Sequence, residues 1–433
     1  MEERKVLYDA TNYLELPATI PLERIVRVEP RQIYASRPTE QLLEEAFANP
    51  IESPDLAHEN VTNVALIFSD ETRLPSPYLA SLLRMLSKKV KNVSLIVACG
   101  THVPPSEDYL KRIIGEEPLG RNVVFSSTKN SLSRFRTIGQ TTRGTGVEVN
   151  EEILDKDFAL SSLCVRPHYF AGFEGGAKAI LPGCSSPKAT SRNHSYVIGN
   201  PFARELITRG NPVREDINEV PRMLEKYGIK YRVADFVADT KNIPLKISYG
   251  DPLKTHSHLS SVAKDIYTVK APATTLAITV ADGALGKTLY QATKAFSLTT
   301  NVMKRKRDSK STVVLVASLR DGVGSDTWAD ELVHYASKSN SEIIQDLRSR
   351  AKKGEFNETL QKINRFAIDG ETTSLRVVSP EAPKQVERLL NEAKILFTRQ
   401  LYEAIEDFQK SDDKIVLVPK GSSTVPIQMN QPL

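Results

Sequence analysis

Three of the seven histidines in this 433-residue chain stand where apolar runs end or where glycine and proline turn the backbone. His102 lies in Val97-Ala-Cys-Gly-Thr-His-Val-Pro-Pro105, directly after the run 93–99. By itself such a histidine is more often a loop residue than a catalyst. His168 stands near the start of the densest segment, Arg166-Pro-His-Tyr-Phe-Ala-Gly-Phe-Glu-Gly-Gly-Ala-Lys-Ala-Ile-Leu-Pro-Gly183, and His194 follows it. Gly175 and Gly176 remove Cβ atoms where a helix would begin, so their amides would lie open to an anion such as a phosphate, with Lys178 one turn in. The plainer alternative is a glycine turn with a solvent lysine. Two imidazoles and an amine around one turn favour chemistry, since imidazole carries protons or binds transition metals near neutral pH and lysine forms covalent adducts.

Asp70-Glu-Thr-Arg73 follows the run 64–68 and sets a carboxylate and a guanidinium at a strand end. Arg73 can grip a carboxylate bidentately, although a capping Asp with a surface Arg is the alternative. In Tyr290-Gln291-Ala-Thr-Lys294, Gln291 and Lys294 share a face if the segment is helical. Ala281-Asp-Gly-Ala-Leu-Gly-Lys-Thr288 is a permissive phosphate-loop pattern that lacks the first glycine. It leaves a nucleotide-binding ATPase module as an alternative, one that predicts ATP binding abolished by Lys287→Ala. A nicotinamide-dependent 2-hydroxyacid oxidoreductase is a further alternative, without the expected G-x-G-x-x-G after any strand. The short basic run Lys304–Arg307 is a polyanion contact or a solvated loop.

Such residues need a scaffold. Runs rich in Val, Ile and Leu at 64–68, 93–99, 122–125, 158–163, 275–280, 312–317, 375–378, 394–398 and 414–418 read as buried strands. Amphipathic stretches lie between them, such as Ser76–Lys89 with Ser76 at the N-cap and Pro77 at N1. The expected class is therefore α/β, with two domains and mostly parallel sheets. The polar stretch 248–268 places a boundary near residue 265, with His256 and His258 expected in solvent. Residues 1–265 then form an N-terminal α/β domain, completed by 412–433, and 266–411 form a C-terminal one.

With 40% hydrophobic and 26% charged residues the chain is an ordinary globular protein, and its net charge of +5 is not the clustered excess of a nucleic-acid binder. Three cysteines without a C-x-x-C pair indicate neither disulfides nor a cysteine zinc site. No run approaches the ~20 apolar residues of a membrane span, and the charged start has no signal-peptide core. The expectation is a cytoplasmic protein with neither nucleic-acid nor membrane partners.

Taken together, Asp70-x-x-Arg73, Gly100-Thr-His102, the block Pro167–Gly183 with His168 and Lys178, His194, and Tyr290-Gln291-x-x-Lys294 resemble the nickel-pincer lactate racemases and related 2-hydroxyacid racemases and epimerases. The motifs span about half the chain in the family's order. The resemblance implies two α/β domains with the active site in the cleft between them. It also implies a nickel-pincer nucleotide, a pyridinium thiocarboxylate mononucleotide, with Lys178 as its tether and His194 as the metal ligand. His102 and His168 become the catalytic acid/base pair. Asp70 shapes the cofactor pocket along with Gly175 and Gly176, while Arg73, Tyr290, Gln291 and Lys294 contact the substrate. The implied partners are a small 2-hydroxyacid, lactate by default, and the enzymes that mature the cofactor. Family members also use a tryptophan in the C-terminal domain, and the only one here is Trp328. A non-catalytic cofactor carrier would keep Lys178 and His194 yet tolerate loss of His102 and His168.

The chemistry of inversion agrees. The C2 hydrogen of a 2-hydroxyacid is a poor acid, whereas its removal as hydride gives a stable 2-ketoacid. Two bases then serve the hydroxyl proton of the two enantiomers.

Overall fold

The computed structural model describes all residues except 1–3, 10, 34, 36, 116–122, 128, 306–308 and 431–433. The strand expected at 122–125 and the basic run at 304–307 therefore fall partly outside the described residues. Lys304 itself is paired with Asp413 at 2.7 Å. Among the described residues no helix is long and apolar enough to cross a membrane.

The chain divides into two units, Gln32–Asp265 and Met1–Arg31 with Ile266–Leu433. In Gln32–Asp265 six strands lie in the spatial order Pro244–Gly250, Lys230–Ala238, Phe158–Ser162, Asn63–Ser69, Asn92–Gly100 and Val123–Ser127. All neighbours are parallel except the Pro244–Gly250 edge. Val64 pairs with Val93 on one side and Phe158 on the other, so the apolar runs supply adjacent central strands. Such strands are buried on both faces and read as unbroken apolar sequence. Leu66, Phe68, Leu82, Leu86, Leu95, Val97, Phe158 and Phe236 form their core.

From Asn63–Ser69 the chain builds outward to Asn92–Gly100 and Val123–Ser127, then returns to add Phe158–Ser162 on the opposite side. The direction of growth thus reverses between Asn63–Ser69 and Phe158–Ser162. In open α/β sheets the ligand crevice lies beyond the carboxyl ends of strands at such a switch point. Asp70 directly follows the first of these strands. Arg166 and His168 follow the second.

The other unit holds a fully parallel sheet in the order Leu396–Thr398, Thr373–Val378, Ser311–Val316, Leu276–Val280, Ile415–Val418 and Ile25–Arg27. This corrects the expected domain assignment at both ends of the chain. Residues 412–433 do not complete the N-terminal domain. Ile415–Val418 is clamped between Leu276–Val280 and Ile25–Arg27, and Val425–Gln428 pairs with Thr268–Ala271. A strand's own sequence does not say which sheet edge will satisfy its amides.

Two local expectations also change. The stretch 248–268 is mostly the helix Pro252–Tyr267, and His256 is buried on it while His258 is exposed. The helix expected from Ser76 begins at Leu79. Ser76 instead accepts a hydrogen bond from Ser162 at 3.0 Å, and Tyr78 donates to the Ala234 carbonyl at 2.9 Å.

Candidate active site

Beyond the Asn63–Ser69 strand, Asp70 is buried, and its Oδ1 accepts from the Thr72 amide (2.7 Å) and hydroxyl (2.5 Å). This local turn aims Oδ2 at His102 Nδ1, 2.8 Å away. Burial alone would raise the Asp70 carboxyl, but His102, Arg73 and Thr72 outweigh it and hold it below the ordinary carboxylate value. Asp70 is therefore the ionised acceptor and His102 the donor through Nδ1. Nε2 is then the ring atom able to take a proton.

His102 is placed by the turn after its strand. Gly100 adopts a positive φ of 56°, its amide donates to the Gly183 carbonyl at 3.0 Å, and the Gly183 amide donates to the Lys178 carbonyl at 3.2 Å. One glycine thus ties the His102 loop to the Lys178 turn. A Cβ at Gly183 would press into the Ala179 carbonyl and sit 3.0 Å from the Ala98 Cβ. Gly183→Ala is expected to cost roughly 1–3 kcal/mol of stability as an overpacked site, read as a lowered denaturation midpoint.

Arg73 lies between functions. Its Nε is 3.4 Å from Glu174 Oε1 and its Nη1 donates to the Thr72 hydroxyl at 3.3 Å, while Glu174 Oε2 accepts from Arg166 Nε at 2.7 Å. Glu174, Arg166 and Thr72 were not singled out from sequence. Their signal was only proximity to residues that were.

His168 sits in the two-residue strand Pro167–His168, paired with Gly172–Phe173. The Ala171 amide donates to its Nδ1 at 3.3 Å, which leaves the proton of the neutral ring on Nε2. The two histidines are therefore held in opposite proton arrangements. Phe170 packs edge-on against both His168 (4.5 Å) and His194 (5.0 Å), giving the two imidazoles one shared aromatic wall. His194 is buried in the last turn of the helix Pro187–Ser195, which Ser186 caps through the Ala189 amide. Next to it, Asn193 donates to Asp216 at 2.8 Å and to the Val213 carbonyl at 3.1 Å, fixing the helix.

Lys178 is partly buried in the 3-10 turn Gly176–Ala179. The expected open anion cradle is not what the glycines form. The Gly176 amide already donates to Asp235 at 2.6 Å, and a Cβ would meet Val165 at Gly175 or the His256 ring at Gly176. The two glycines serve close packing.

In the other unit Tyr290, Gln291 and Lys294 lie on the helix Leu289–Thr299, with Lys294 buried. Lys362, unnoticed in the sequence, donates to Thr293 at 3.1 Å and lies 4.5 Å over the Tyr290 ring. Trp328 is fully buried and packs edge-on against Tyr290 at 5.6 Å. At the start of this helix the Leu289 and Tyr290 amides donate to Gly322 and Val323, and the Lys287 amide donates to Ala284. Within the 281–288 pattern the Ala281 and Lys287 amides are already spent on the Val316 and Ala284 carbonyls, which weakens the ATPase alternative.

Asp70, at the sheet's switch point, thus orients the His102 imidazole, an arrangement that can move a proton. Residues 12–205 match the lactate racemase N-terminal domain family. The chain is 27% identical over 436 residues to the lactate racemase of Thermoanaerobacterium thermosaccharolyticum, covering 95% of this chain and 96% of that protein. It is 29% identical over 309 residues to the lactate racemase of Lactiplantibacillus plantarum, covering 69% and 71% respectively. In fold it is similar to the solved lactate racemase apoprotein of T. thermosaccharolyticum, with a TM-score of 0.83 at 24% identity over 98% of this chain and 99% of that one. A Thermotoga maritima protein gives a TM-score of 0.72 at 16% identity over 91% and 99%. The chain is thus similar to lactate racemases along nearly all its length, with their N-terminal domain at residues 12–205, and these relatives make it an isomerase of the racemase type.

Proposed function

We propose that this racemase inverts C2 of lactate, the substrate in its relatives' names, using a nickel-pincer nucleotide held by Lys178 and His194. The observation that carries the reading is the Asp70–His102 pair joined through Gly183 to the Lys178 turn. The residues fit such a group. His194, buried in the last turn of its helix, would supply one imidazole ligand to the metal, and the organic group would supply the others. Lys178 offers the amine for a covalent tether, and the bound cofactor would supply the acceptor for the C2 hydrogen.

The remaining work falls to the protein. His102 Nε2 takes the hydroxyl proton of one enantiomer while Asp70 stabilises the charge that forms on the ring. The resulting 2-ketoacid turns its other face, and His168 serves the hydroxyl of the opposite enantiomer. Arg73 holds a carboxylate, and Tyr290, Gln291 and Lys294 are assigned to substrate as well. The same reading carries a cytoplasmic location and cofactor-maturation enzymes as partners.

The test is protein made beside those enzymes, followed by intact mass and chiral chromatography of lactate. A nucleotide adduct on Lys178 with interconversion of both enantiomers supports the proposal; an unmodified Lys178 in a racemising sample sinks it. His194→Ala is expected to keep the organic adduct and lose nickel, because the pincer atoms remain while the protein's ligand is gone. Elemental analysis showing stoichiometric nickel in that variant would remove His194 from its role.

A further inference from the structure

Asp235 lies fully buried in the strand Lys230–Ala238, and both its oxygens are spent on the segment that carries the site. Oδ1 accepts the Leu163 amide at 2.9 Å, where the chain leaves the sheet toward Arg166 and His168. Oδ2 accepts the Gly176 amide at 2.6 Å, where the chain enters the Lys178 turn. We infer that Asp235 is a positioning residue: one buried carboxylate that pins both arms of the 163–178 segment and so fixes where His168 and Lys178 stand relative to each other. Only the roles of His168 and Lys178 in this statement rest on the proposed racemase reading.

The surroundings support a clamp on one segment. Arg214, also buried, donates to the Ala171 (3.1 Å) and Gly175 (3.3 Å) carbonyls and to that of Phe173. Tyr231 donates to the Gly176 carbonyl at 3.0 Å, and His256 Nε2 lies 3.1 Å from the Glu174 carbonyl. The missing Cβ of Gly175 would stand 3.0 Å from Asp235 Oδ2, so the glycine is what lets the carboxylate reach its neighbour's amide. As a source of stability a desolvated carboxylate is poor. What it adds is geometry: two acceptor atoms at a fixed separation, which neither Asn nor Ser reproduces.

Titration gives a second handle. Burial pushes the Asp235 carboxyl up to about 7, against the pull of the Gly176 and Leu163 amides and Arg214. The other titratable groups around it are Arg214, Tyr78, Tyr231, Cys164, Glu174 and His256. Of these, burial holds the His256 imidazole well below its usual value and pushes the Tyr231 hydroxyl up, so both stay neutral near pH 7. Protonation turns one acceptor oxygen into a donor and releases one arm. The ionised form, above about pH 7, holds both.

The experiment is amide hydrogen exchange of the full chain, wild type and Asp235→Asn, followed on peptides covering 159–168 and 171–183. Protection there is expected to fall about tenfold in the variant, the scale of one hydrogen bond's net worth, while peptides covering 64–68 and 276–280 keep theirs. In wild type the same two peptides should lose protection between about pH 8 and about pH 6 after correction for intrinsic rates, and the variant should show no such step. This pH series carries the test if the variant does not fold. Equal loss across all peptides, or no loss in 159–183, overturns the inference. On protein made with the maturation enzymes, Asp235→Asn should also slow adduct formation on Lys178 at least tenfold. An adduct absent from wild type would sink the racemase reading and leave the exchange result standing.

Discussion

Lys178→Ala should give a folded protein that carries no nucleotide adduct and racemises nothing. The turn does not need the side chain for its shape. Its backbone is set by the Lys178 amide to the Gly175 carbonyl, by the Gly183 amide to the Lys178 carbonyl, and by Asp235 beneath Gly176. Alanine fits a 3-10 turn and leaves these backbone bonds in place, so the variant should remain folded. The amine is a different matter, because no other lysine occurs between Arg166 and Gly183 to replace it. Lys178→Arg sharpens the test: it keeps a cation in the turn while removing the nucleophilic amine. Both variants should show the unmodified mass, and wild-type activity in either would end the assignment of Lys178 as tether.

The sequence made the central strands legible and left the edges and the supports obscure, for identifiable reasons. Runs such as 64–68 and 93–99 are buried on both faces, so their apolar character is unbroken. Ile25–Arg27 is too short to carry a pattern, and Lys230–Ala238 contains Arg232 and Asp235, which break the apolar run that marks a core strand. Yet that break was itself the clue: a carboxylate amid Val233, Ala234, Phe236 and Val237 is seldom buried without a task. His256 was misread because its helix turns Thr255, His256 and Ser260 inward, where polar side chains imitate an exposed face. The candidate histidines, lysine and Arg73 could be named from types and spacing. Which nitrogen of each imidazole holds the proton could not, since that depends on Asp70 and on the Ala171 amide.

That difference in proton placement sets the second large effect. His102→Ala and His168→Ala should each reduce racemisation by about 10² to 10⁴, the usual worth of a general acid/base, because the proposed cycle uses both rings. Their half-reactions should not match. Asp70 holds His102 with Nδ1 protonated, so in the proposed cycle Nε2 takes the hydroxyl proton of the enantiomer it addresses. For His168 to accept a proton at Nε2 while Nδ1 is protonated, Nδ1–H would face the Ala171 amide, two donors opposed, and the 3.3 Å bond must be given up first. His168→Ala should therefore still oxidise one lactate enantiomer in a single turnover, seen as a spectral change without product of the other hand. His102→Ala, left with the less prepared base, should oxidise only the opposite enantiomer, and more slowly. Stopped-flow spectra on each pure enantiomer, with chiral chromatography of the quenched mixtures, separate the two. Near wild-type racemisation by both variants would mean that neither imidazole carries the hydroxyl proton, even with the cofactor in place. Equal half-reactions would instead mean that the Ala171 bond imposes no barrier on His168.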